Sequence, residues 1–174
     1  MSSVVDICNE AMDLLGAATI TSLTENSKEA RLCNRKFELT RDAVLRAHPW
    51  NAAIARAELA ANSVGPAFGF THQFQLPADP YCLRVLSYWN TNVNNDLAAY
   101  DSNRMFKIDY DALLSNAIAH RLAADTAYAI TGSNSVAQQM FSLYESRLKE
   151  AKGVDSMEGY PEQPVADYFI DIRY

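Results

Sequence analysis

The sequence predicts a mainly α fold with a small antiparallel β-sheet (α+β): an antiparallel helical bundle with a short β insertion and an extended C-terminal tail. Apolar residues recur at helical spacing through the first and last thirds of the chain. The middle third carries Gly-Pro turn chemistry between β-rich runs. The last residues alternate apolar and charged side chains after two prolines, the pattern of a strand seeking an edge. At 174 residues the chain suits one domain with its own core. It divides into a helical body over 3–48 and 109–152, a β region over about 50–106 and a tail over 153–174.

The first helix places Val4, Cys8, Ala11 and Leu15 on one face with Val5 and Met12 beside them, opposite Asp6, Asn9, Glu10 and Asp13. Gly16 is its natural stop, and TENS offers caps to a second helix from about Ser27 to Ala47. That helix carries the stripe Ala30, Cys33, Phe37, Val44 and Leu45 and is long enough to be the spine of the domain. Arg31, Arg35, Lys36, Arg41 and Arg46 are expected on its solvent side, mixed with Glu29, Glu38 and Asp42.

At His48, Pro49, Trp50 and Asn51 the helix must end or kink, because proline lacks an amide proton and disfavours α geometry at the residue before it. Trp50 can pin this structural corner into the core, and Asn51 can satisfy backbone groups that the break leaves open. The run WNAAIARAELA fits a helix by its alanines and a strand by its partial alternation. Beyond it, FTHQFQLPADPYCLRVLSYW reads as two strands separated by a PADP corner, the second from Cys82 to Trp89. NTNVNNDLAAYDSN reads as a hairpin or an exposed loop.

From about Asp109 a third helix carries the stripe Leu113, Ala117, His120, Ala124 and Tyr128, and Gly132 closes it. Asp109 and Asp111 precede it, where carboxylates favour the positive end of the dipole. A final helix buries Val136, Met140, Leu143, Tyr144 and Leu148, with Glu145 and Lys149 spaced for an ion pair, and Gly153 is expected to end it.

Composition narrows the function. Hydrophobic residues at 49% and charged residues at 21% are those of a folded globular protein. A net charge of -6 with no run of lysines and arginines argues against gripping nucleic acid by its phosphates. An acidic wall suits a conduit past which DNA slides. Cys8, Cys33 and Cys82 are distant in sequence and odd in number, which predicts reduced, mostly buried thiols. The N-terminus is an amphipathic helix without the basic region and cleavage site of a signal peptide, and no membrane association is expected. There is no P-loop, GxGxxG, GxSxG, HExxH or calcium-loop pattern, so no catalytic residue, cofactor or metal is expected. His48, His72 and His120 lie in three different elements and read as structural hydrogen-bonding groups.

The stretch RDAVLRAHPWNAAIARAELA resembles the tail tubular protein A family of short-tailed phages, the head-to-tail adaptors. In that family an RD-x-x-L-x-x-HPWNFA-x-x-RA-x-L run is followed by a Gly-Pro turn and an LP-x-D-x-LRV strand. The matching residues here are Arg41, Asp42, Leu45, His48, Pro49, Trp50, Asn51, Ala52, Arg56, Ala57 and Leu59, then Leu76, Pro77, Asp79, Leu83, Arg84 and Val85. The segment from ALLSNAIAHRL to VDSMEG is similar to the family's closing helical pair, so the resemblance spans residues 4–159. The chain departs from the family at Ala52, which often follows as Phe, and in a middle sheet shorter than usual between Trp89 and Phe106.

The resemblance implies that WNAAIARAELA is the first strand of the sheet. It also implies a structural virion protein at the head–tail interface, assembled in the host cytoplasm. As a homo-oligomer it would form a dodecameric ring between the portal protein and the tail nozzle protein, with DNA passing through without sequence-specific binding. Tyr168, Phe169, Ile170, Ile172 and Tyr174 are the expected partner contacts, and the loop from Thr91 to Asn103 is expected to face a ring neighbour or the nozzle. Three rival readings make different demands. Another connector would share the architecture, whereas a helical DNA-binding regulator would need a basic stripe on the helix at 27–47. A small enzyme with a site formed from residues distant in sequence would need a deep pocket with several polar groups of shifted pKa.

Overall fold

The computed structural model describes residues 3–69, 73–79, 81–92, 95–102 and 111–158. Helix α1 spans Val4–Leu14 and α2 spans Lys28–Arg46. A single 3-10 turn at Asn51–Ala53 leads into strand β1, Ile54–Leu59, followed by β2, Cys82–Asn92, and β3, Asn95–Ser102. The chain returns to helix in α3, Ala112–Thr131, and α4, Asn134–Glu158. The fold is therefore mainly α with a small antiparallel sheet, as the sequence pattern predicts.

Three helix boundaries have a clear local cause. Ser3 and Asp6 form a reciprocal capping box at the start of α1, with the Ser3 amide donating to Asp6 Oδ2 at 2.8 Å and the Asp6 amide donating to Ser3 Oγ at 3.1 Å. Ser27 Oγ accepts from the Ala30 amide and caps α2. Gly132 ends α3 at φ 71°, a left-handed geometry that glycine takes without steric cost. Asp111 occupies the N-cap position of α3, but its side chain makes no capping hydrogen bond, so its contribution reduces to charge near the dipole. Asp109 lies outside the described residues.

The core centres on α3. Helices α1, α2 and α4 all pack on it, while α1 and α2 touch each other little. Leu114, Ser115, Ala117, Ile118, Ala119, His120, Leu122, Ala123, Thr126 and Ala127 are all buried, so α3 faces protein on most sides. The expected spine was α2; the hub is α3. A helix that is apolar nearly all round belongs in the middle. Three helix-face expectations also need correction. Tyr128 is 61% exposed, because it lies near the end of α3, and Leu143 on α4 is 39% exposed. Arg41 is buried, with Nη2 2.8 Å from Asp42 Oδ1.

Strands β1 and β2 each pair antiparallel with β3, giving the order β1-β3-β2. The segment NTNVNNDLAAYDSN thus supplies the end of β2 and the central strand, so most of what could have been an exposed loop is sheet. The described part of the strand expected before PADP holds an isolated bridge between Ala61 and Phe74, flanked by a hydrogen bond from the Asn62 amide to the Gln73 carbonyl. Phe70 and His72, part of that expectation, lie outside the described residues. In β1, Ile54, Arg56 and Glu58 are exposed, and the alternate residues Ala55, Ala57 and Leu59 are turned inward.

Gly153 does not end α4. The helix runs on to Glu158, so residues 153–158, expected in the tail, belong to the helical body. The reason is a tertiary contact at Asp155.

Candidate functional site

Two of the four corner residues, His48 and Asn51, meet a fifth residue, Asp155, that has no local signal in the sequence. Helix α2 stops at Ala47, whose amide donates to the Val44 carbonyl at 3.1 Å. Trp50, 1% exposed, lies under the corner and donates from Nε1 to the same Val44 carbonyl at 3.1 Å. A carbonyl oxygen has two lone pairs, so the end of α2 is satisfied twice at one atom. Trp50, rather than Asn51, therefore serves the backbone that the break leaves open. The imidazole of His48 packs edge-on against the Trp50 ring, with centroids 4.9 Å apart at 76°. The Trp50 carbonyl then accepts from the Ala53 amide at 2.9 Å and starts the 3-10 turn into β1.

Asp155, near the end of α4, closes the corner from the far side. Its Oδ2 lies 3.0 Å from His48 Nε2, and its Oδ1 accepts from the Asn51 amide at 3.1 Å. Asn51 Nδ2 in turn donates to the Asp155 backbone carbonyl at 2.7 Å. One acidic residue thus ties the last turn of α4 to the point where helical body becomes sheet. A second tie runs from Arg46 Nη1 to the Leu83 carbonyl of β2 at 3.1 Å. The His48 and Asp155 pair superficially suggests acid–base chemistry, but both carboxylate oxygens are engaged in holding the joint.

Elsewhere the polar side chains also bind elements together. Thr40 Oγ1 of α2 donates to Asp125 Oδ2 of α3 at 3.1 Å, and Arg121 pairs with the same carboxylate oxygen at 3.2 Å. The Arg121 guanidinium lies 5.2 Å from the ring centroids of both Phe141 and Tyr144 on α4. Burial raises the Tyr144 phenol above its ordinary range, against an opposing pull from Arg121. Asn9, expected on the solvent face, clamps the α1–α2 connection by exchanging two hydrogen bonds with the Ile20 backbone, at 2.7 and 3.0 Å.

The remaining chemical candidates separate. His120 is buried and bonds the Asn116 carbonyl through Nδ1 at 2.9 Å, a structural role as expected. All three cysteines are buried and outside any disulfide. Although distant in sequence, Cys8 and Cys33 meet where α1 passes α2; their mutual hydrogen bond first, and burial second, push the Cys8 thiol well above its ordinary range. Among the described residues no group of three or more His, Cys, Asp and Glu could hold a metal ion. A shallow depression of about 430 Å³ is lined by Ala124, Asp125, Asn134, Ala137, Gln138 and Phe141. Another of about 230 Å³ involves Val4, Leu23, Asn34, Phe37, Glu38 and Arg41. Among the described residues neither lining contains a Ser, Cys or His, and the carboxylates present are Asp125 in the first and Glu38 in the second. No described helix is long and apolar enough to cross a membrane.

Of the predicted site residues, the structure brings His48 and Asn51 onto Asp155, packs Trp50 against His48 and leaves Pro49 exposed at the bend. Tyr168, Phe169, Ile170, Ile172 and Tyr174 lie outside the described residues. Asp155 was legible only as an isolated acid after a glycine, with no local signal for a partner so far away in sequence. The Ser3 and Asp6 box, by contrast, carried the ordinary S-x-x-D spacing of a helix start. No protein-family model matches the chain, and no curated protein matches it.

Proposed function

We propose that this chain is a structural adaptor of a phage head-to-tail joint, forming a dodecameric ring between portal and tail nozzle around the DNA channel. The observation that carries the reading is the His-Pro-Trp-Asn corner. The residues on which the resemblance rests are also those that fix the helical body to the sheet, with Trp50 buried and Asn51 bonded to Asp155. A subunit whose two parts are tied at the corner and through Arg46 and Leu83 can transmit position from one partner to the next without chemistry of its own. The net charge of -6 supports a wall past which DNA slides. Among the described residues the order β1-β3-β2 leaves β1 and β2 as outer strands, which suits lateral contact between neighbours.

Assembly on the portal is the proposed mechanism. A weakly associating subunit docks there, its terminal apolar cluster at 168–174 contacts a neighbour or the portal, and the completed ring offers the surface for the nozzle. Many weak contacts held in one ring become durable through multivalency. The test is electron microscopy of the protein alone and mixed with its portal. Rings seated on the portal are expected in the mixture. A chain that neither binds the portal nor forms a ring with it would sink the proposal.

A further inference from the structure

Positions 143, 147, 150, 154 and 157 of α4 recur at alternating steps of four and three, the spacing of a helix-pairing seam. They carry Leu143, Arg147, Glu150, Val154 and Met157. The seam lies about a quarter-turn around the helix from Met140, Tyr144 and Ala151, which face the core. It is open to solvent: Leu143 is 39% exposed, Val154 37% and Met157 85%. Between them Arg147 and Glu150, both half-exposed, form an ion pair at 3.0 Å. The Asp155 clamp keeps the last turn helical and in line, so Val154 and Met157 continue the stripe beyond Gly153.

We infer that this seam pairs with the same seam of a second copy of the chain, antiparallel, about a two-fold axis passing between positions 148 and 149. The charge pattern selects both occupant and direction. In that register Leu143 faces Val154 of the second copy and Arg147 faces its Glu150. Each contact occurs twice, as an isologous interface requires. The opposite charges that now pair within one helix can then pair across two. Parallel pairing would set Arg147 on Arg147 and Glu150 on Glu150, which like-charge repulsion disfavours. From 143 to 157 the seam is about 21 Å long. The contact therefore falls in the class below about 1,200 Å², and pairing is weak and reversible. The inference stands on α4 alone and does not depend on the adaptor reading.

Sedimentation velocity of the full chain over a wide concentration range tests it. The wild type shifts from monomer towards dimer as concentration rises. Glu150→Arg, which sets arginine against arginine twice, weakens dimerisation by about tenfold or more with an unchanged circular dichroism spectrum. The double variant R147E/E150R restores both pairs and recovers the dimer. With oxidised glutathione as oxidant, L143C/V154C forms covalent dimers while L143C alone does not. The inference is overturned by a wild type that stays monomeric throughout, by association into larger species indifferent to the charge exchange, by a double variant no better than E150R, or by L143C crosslinking as well as the pair.

Discussion

At the scale of single residues, Asp155 does most to decide the shape of the joint. It accepts from a histidine ring and a backbone amide with its carboxylate and from an asparagine side chain with its carbonyl. Hydrogen bonds to a charged group are worth about 1.5–3 kcal/mol. Asp155→Ala is therefore expected to lower stability by about that amount, and to raise hydrogen exchange at 153–158 more than in the middle of α3. Equal exchange in both proteins would show that the clamp holds nothing. Trp50→Ala removes a large buried ring together with a donor to the end of α2, and cavity formation at such a site costs about 3–5 kcal/mol. Denaturant unfolding reads that loss directly. It is the heavier of the two because Trp50 sits inside the core, whereas Asp155 closes the joint from its edge.

At the scale of elements, the helix ends and the seam between helices are the points of control. The Asp6 carboxyl is held below its ordinary value of 3.8, first by the Ser3 amide and then by the Ser3 hydroxyl. A depressed folded-state value means that the capping contribution is present above the ordinary value and lost as pH falls through the folded one. The stability difference between wild type and Asp6→Asn should thus be full near neutrality and shrink below pH 3.8. A difference that stays constant into acid would exclude this origin. Gly153 sits inside α4, and a Cβ added there meets nothing within 4 Å. Glycine in a helix interior costs about 0.5–1 kcal/mol relative to alanine, so Gly153→Ala should raise the thermal midpoint. Gly132→Ala should lower it, because that residue must hold φ 71° at the end of α3.

For the described residues as a whole, α1, α2 and α4 pack around α3, and the corner together with the Arg46–Leu83 hydrogen bond attaches a small sheet to them. Truncation after Gly159 is expected to leave the helical circular dichroism signal intact while abolishing portal docking and ring formation. If the shortened chain still docks and closes rings, the terminal aromatic cluster has no part in assembly. A mobility shift at low salt separates the regulator reading at the same scale. On the proposed adaptor reading the acidic chain should give no shift, because phosphate binding needs clustered cations, and on α2 Arg41 is turned inward and paired with Asp42.

The amino-acid order by itself determined the class of fold, the existence of four helices and the break at Pro49. These follow from local causes: apolar periodicity, capping side chains and the missing amide proton of proline. It could place Trp50 in a corner but could not say which carbonyl the indole would find. The alanine-rich run after Asn51 was ambiguous in its own residues, and pairing of Ile54–Leu59 with β3 decided that it is a strand. Tertiary packing likewise made α3 the hub, buried Arg41, brought Cys8 beside Cys33 and carried α4 through its glycine to Glu158. The common reason is that the deciding partners lie far away along the chain, as Asp155 does from His48. A local pattern records a residue's own preference, and only the folded chain supplies the group that outweighs it.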